Sequence, residues 1–219
     1  MSYEAFRREQ QEVWIEREGI RVGGFLACPE GAEAIVLFAH GSGSSRFSPR
    51  NNYVASVLHD AGIATLLFDL LMESEEDERR NVFDIDLLAG RLLMATEWVR
   101  GRRDLKSLKI GYFGASTGSA AALKASVLSM HETFAIVSRG GRPDMAADVL
   151  ERVTAPTLLI VGGADYGVIE LNEEAYRRLR CEKRMVLVEG ATHLFEEPGA
   201  IEAVAELAKE WFVEHLNKG

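Results

Sequence analysis

Residues 109–121 read Lys-Ile-Gly-Tyr-Phe-Gly-Ala-Ser-Thr-Gly-Ser-Ala-Ala, a short apolar run that passes through Gly-x-Ser-x-Gly directly into an alanine-rich segment. The first half suits a buried strand and the second a helix, so Ser116 falls on the sharp turn between them. Gly114 and Gly118 leave room where a side chain would strike the adjoining backbone. The start of the helix directs unpaired amides and the positive end of its dipole at the serine. Alone, the pentapeptide also occurs in tight structural turns; the strand before it and the helix after it are what point to chemistry.

The rest of the chain repeats this strand-then-helix unit. Residues 12–16 alternate with strand period, Gly19 breaks the run and residues 20–27 resume it, which predicts an antiparallel hairpin at a sheet edge. Strands buried on both faces are then expected at residues 34–39, 63–69, 108–114, 134–138, 156–162 and 185–189, each a near-continuous apolar run. Helices are expected at residues 52–61, 85–99, 117–128, 145–152 (short), 171–179 and 201–216. This alternation predicts an α/β fold with a mostly parallel, twisted sheet of about eight strands, antiparallel at its N-terminal edge and covered by helices on both faces. With 219 residues and 47% hydrophobic content, one domain over 1–219 is expected.

Charge narrows the partners. A formal net charge of −9 argues against affinity for nucleic acid or an anionic membrane, which call for clustered positive charge. The acidic run at 73–78 reads as a solvated surface loop. Cys28 and Cys181 lie far apart without metal-ligand spacing and are read as reduced thiols. The charged amino terminus has no apolar core of signal-peptide length, and no run approaches a membrane span, so a cytoplasmic protein is expected. Its partner is expected to be a small molecule; a homodimer is left open.

In a parallel sheet, ligands bind at the carboxyl ends of the strands. After the strand at 156–162 comes Asp165, and after the last strand comes His193. A serine hydroxyl needs a base within reach and a group that fixes the base's tautomer. Ser116, His193 and Asp165 supply those three types, in the chain order Ser, Asp, His. The third strand ends in His40-Gly41-Ser42-Gly43, whose flexible backbone brings the Ser42 amide, or failing it that of Gly43, toward Ser116 as a second oxyanion donor beside the Thr117 amide. No Gly-Lys-Ser/Thr or dinucleotide spacing accompanies that loop. His40 is credited only with ending its strand, and His59, His131 and His215 with no role. Arg46, Arg139 and Arg142 are expected in loops on the same face, where they either hold a substrate carboxylate or phosphate or pair with nearby acids such as Asp144.

On residues 40–43, 114–118, 163–165 and 191–193, in this order, the chain resembles the α/β-hydrolase superfamily, and within it the small dienelactone-hydrolase-like proteins. The resemblance implies a Ser-His-Asp hydrolase that needs no cofactor or metal and acts on an acyl substrate. Dienelactone hydrolases proper carry a cysteine nucleophile where this chain has Ser116. The short span between residues 138 and 156 leaves no room for a sizeable lid, which favours small esters, lactones or thioesters. A noncatalytic binding protein and an acyltransferase using the same three residues are the alternatives.

Overall fold

A computed structural model describes residues 3–218. After helix α1 (Tyr3–Glu9), strands β1 (Gln11–Arg17) and β2 (Ile20–Ala27) form a hairpin. Its two-residue turn places Glu18 at φ 52° and Gly19 at φ 84°, the left-handed pair that matches the twist of the flanking strands. Then follow β3 (Ala34–Ala39), α2 (Pro49–Asp60), β4 (Ala64–Phe68), the one-turn helix α3 (Glu73–Glu76) and α4 (Ile85–Gly101). The chain continues through β5 (Lys109–Ala115), α5 (Thr117–Leu128), β6 (Thr133–Arg139) and β7 (Thr157–Gly162) to α6 (Tyr166–Arg178), β8 (Lys183–Val188) and α7 (Ala200–Leu216).

All eight strands join one sheet in the order β1-β2-β4-β3-β5-β6-β7-β8. β1 pairs with β2 and β2 with β4 antiparallel, and every other pairing is parallel. Side chains alternate across each strand, so both faces of a central strand need apolar residues. Ile35, Leu37 and Tyr112 pack on one face with α4 and α5, while Val36, Phe38 and Phe113 pack on the other with α2 and α7. Each large side chain so buried contributes about 1.5–3 kcal/mol of transfer free energy. Among the described residues, no helix is long and apolar enough to cross a membrane.

Several elements depart from the sequence pattern for physical reasons. Helix α2 begins three residues early because Pro49 occupies its first turn, and the Ser48 hydroxyl accepts from the Asn51 amide at 3.3 Å. Helix α6 begins at Tyr166 rather than 171, since its first turn buries no side chain that would mark it. The expected short helix at 145–152 is two 3₁₀ turns, Pro143–Ala146 and Leu150–Arg152. The acidic run is not simply a loop: α3 forms within it, and the Glu75 carboxylate binds Arg91 at 2.5 Å and caps the Met72 amide at 2.9 Å.

Candidate active site

Because β4 and β5 lie on opposite sides of β3, the loops after β3 and β5 diverge and open a crevice at the carboxyl edge of the sheet. Ser116 stands in that crevice at φ 51° and ψ −120°, a strained conformation for a residue with a side chain, held between β5 and α5. Its amide donates to the Arg139 carbonyl at 3.2 Å, and its own carbonyl accepts from the Arg142 amide at 3.1 Å. Two glycines allow the packing. A Cβ on Gly118 would run into the Ala39 carbonyl oxygen, with the His40 carbonyl oxygen 2.6 Å away, so only glycine lets α5 start against the end of β3. A Cβ on Gly41 would lie 2.9 Å from that of Ser116, which shows how closely the β3 loop approaches the serine.

That loop carries Ser42, and α5 opens with Thr117. Among the described residues, neither the Ser42 nor the Thr117 amide has a hydrogen-bond partner, so both are free to receive a developing oxyanion. His40 positions the loop, a role the sequence pattern gave no sign of. The buried imidazole accepts from the Leu70 amide through Nε2 at 3.0 Å and meets the Gly41 carbonyl through Nδ1 at 2.9 Å. An amide can only donate, so Nε2 is bare and Nδ1 carries the hydrogen. Burial holds His40 below its ordinary value of 6.5, outweighing the Gly41 bond and the charge of Asp69. The unfolded chain therefore takes up a proton near pH 6.5 that the folded chain refuses, so stability falls as pH drops through and below that value. This residue should contribute at most about 1.4 kcal/mol per pH unit there. His40→Gln should flatten the slope of unfolding free energy between pH 5 and 7; an unchanged slope would show that His40 is not its source.

On the other side of the crevice, the loops after β7 and β8 are tied together. The Gly163 amide donates to Val188 at 2.8 Å and the Ala164 amide to Ala191 at 2.9 Å. This brings Asp165 Oδ2 to 2.7 Å from His193 Nδ1, with the carboxylate mostly buried and the imidazole 38% exposed. Ser116 and His193 line one open cavity of about 530 Å³. No hydrogen bond joins them among the described residues; such bonds often tighten only when substrate binds.

The three arginines separate. Arg139 is the last residue of β6 and not in a loop; it lies buried on the cavity wall, donating to Asn51 Oδ1 at 3.2 Å, with its guanidinium over the Phe195 ring at 5.8 Å. Among the described residues it has no carboxylate partner, and its Nε has no partner at all. Burial, aided by Arg50, pushes it down to about 10, which leaves it charged at neutral pH. Arg46 is instead paired with Asp69 and, at 3.3 Å, with Glu12. Arg142 grips Asp144 through two bonds of 2.9 and 2.8 Å. Both are engaged by acids and neither lines the cavity, so of the three only Arg139, joined by Arg50, presents positive charge to it.

Among the described residues, Glu182, Glu214 and His215 come close enough to share a cation. The Lys218 ammonium already bridges the two carboxylates at 3.0 and 2.8 Å, on the opposite edge of the sheet from Ser116.

No family model matches the chain. A crystal structure of a dienelactone hydrolase from Anabaena variabilis superimposes with a TM-score of 0.90 at 55% identity, covering 94% of this chain and 98% of that one. The chain belongs to the dienelactone-hydrolase-like α/β-hydrolases. Est1E from Butyrivibrio proteoclasticus shares the fold at 17% identity and a TM-score of 0.81, over 94% of this chain and 99% of that one. A Mycobacterium tuberculosis protein with the provisional name phosphoribosyl transferase is 55% identical over 206 residues, which are 94% of this chain and 46% of the relative. The chain thus spans about half the length of these curated relatives.

Proposed function

We propose that this dienelactone-hydrolase-like chain is a serine hydrolase that cleaves small carboxylic esters, lactones or thioesters through an acyl-enzyme. The observation that carries the reading is the placement of His193, bonded to Asp165 at 2.7 Å on one side and sharing with Ser116 a cavity fronted by two unpartnered amides. His193 Nε2 takes the Ser116 proton as Oγ attacks the acyl carbon. The Ser42 and Thr117 amides hold the oxyanion; His193 then passes the proton to the leaving oxygen as its bond to carbon breaks. Water, activated by the same imidazole, releases the acid. Asp165 keeps the imidazole in the working tautomer and offsets its charge. The uncovered cavity supports short substrates, and Arg139 supports one bearing a carboxylate or phosphate. Cys28 and Cys181, both unpaired thiols, support a reducing, cytoplasmic setting.

The name of the mycobacterial relative describes a protein more than twice as long as the matched region, so it bears on this chain only weakly. Intact-mass detection of a fluorophosphonate adduct tests the proposal. One adduct is expected on the parent, and none on Ser116→Ala or His193→Ala. A folded parent that takes no adduct would point instead to a binding protein. Product analysis with added alcohols or amines would reveal acyl transfer if acceptor esters or amides replace the free acid.

A further inference from the structure

The loop from Gly41 to Ser45 is a wall with a cavity on each side. The cavity of about 530 Å³ holds Ser116, His193, Arg139 and Arg50. The other, of about 320 Å³, is walled by Leu70, Leu71, Val82 and Leu88 and reaches Ser42 and Thr117, the two residues whose amides face the oxyanion. His193 does not line it. The two cavities also differ in charge. Among the described residues Arg139 is buried without a carboxylate partner in the first, and Arg50 beside it pairs with Glu196 at 2.8 Å. Among the described residues the second has no arginine or lysine in its lining, and Glu76 lines it. Burial, with Asp69, Glu73 and Asp77 nearby, already raises the Glu76 carboxyl, so a further anion there would be repelled.

Proton transfer decides which half of a substrate goes where. The imidazole that removes the Ser116 proton must return it to the leaving oxygen, so the leaving group departs on the side that His193 lines. The acyl group then lies across the oxyanion donors from it. We infer that, within the hydrolase reading on which this rests, the substrate is an ester or thioester of a short apolar acyl group with an anionic leaving group: the acyl chain sits against Leu70, Leu71 and Val82, and a carboxylate or phosphate on the leaving group is held by Arg139 and Arg50.

Two probes of opposite polarity test this assignment. 3-Carboxyphenyl hexanoate carries its charge on the leaving group, and monophenyl adipate carries it on the acyl group; phenyl hexanoate and phenyl acetate are the neutral references. With each kcat/KM normalised to the ester's rate in hydroxide alone, the carboxyphenyl ester should exceed the adipate by about tenfold or more, the worth of one buried charge-assisted bond. Arg139→Met and, should that variant not fold, Arg50→Ala should bring the carboxyphenyl ester down toward phenyl hexanoate. Val82→Phe should lower the hexanoate-to-acetate ratio. Preference for the adipate, a carboxyphenyl advantage that survives both arginine variants, or an unaltered chain-length ratio in Val82→Phe would overturn the assignment while the neutral esters are still cleaved. Failure to cleave phenyl acetate together with no fluorophosphonate adduct would instead sink the hydrolase reading, and this assignment with it.

Discussion

Ser116→Ala should lower kcat for a small ester by about 10⁴-fold or more, His193→Ala should lower it by a similar factor, and the double variant should be no worse than either. Serine and base act as one unit in the proposed mechanism. Without Oγ no acyl-enzyme forms, and without the imidazole the hydroxyl keeps its proton at neutral pH. What remains in each variant is whatever the Ser42 and Thr117 amides contribute to attack by water. The fold should tolerate Ser116→Ala, because the hydroxyl makes no side-chain bond among the described residues and the strained backbone is set by its neighbours. Steady-state kinetics with thermal unfolding as a control would check this. Independent losses that multiply in the double variant would mean that the two residues serve different steps.

The chain's architecture was readable because its central strands are buried on both faces. That condition writes itself into the sequence as unbroken apolar runs, and it placed β3, β4, β5, β6 and β7 to within a residue or so of their ends. The elements that escaped notice are those held by polar contacts. Helix α3 rests on a Glu75 cap of the Met72 amide and an ion pair to Arg91, 16 positions away, and neither contact distinguishes an acidic run from a solvated loop. Ser116, Asp165 and His193 stood out because each follows its own strand. The fold brings the aspartate and histidine into contact and sets the histidine on the wall of the serine's cavity.

Arginine partners were less legible. Asp144 lies two residues from Arg142 and was open to guessing, but Asp69 is 23 residues from Arg46, and only the sheet brings them together. His40 shows the same limit more sharply. Its two ring bonds go to the next residue and to Leu70, 30 positions away, so its part in holding the Ser42 loop depends wholly on how β4 lies beside β3.

Asp165→Asn should leave the fold in place yet lower kcat by about 10³- to 10⁴-fold. The substitution preserves volume and removes one charge. Asp165 Oδ2 lies 2.7 Å from His193 Nδ1, and a carboxylate there can only accept, which keeps the hydrogen on Nδ1 and the lone pair on Nε2 facing the cavity of Ser116. An asparagine has two ways to fill the space. With its oxygen toward the ring the tautomer survives, but the imidazolium formed during attack loses its counter-charge. With its amide nitrogen toward the ring, Nδ1 must accept, the hydrogen moves to Nε2, and the imidazole no longer serves as a base. Either arrangement leaves substrate contacts in the cavity untouched, so KM for a neutral ester should change by less than about threefold while kcat collapses. His193 is 38% exposed on its side chain, whereas Asp165 is 17% exposed, so little besides this bond orients the ring. A variant that kept more than about a tenth of parental kcat would show that His193 is set by other contacts, and Asp165 would then be merely a turn residue ahead of α6.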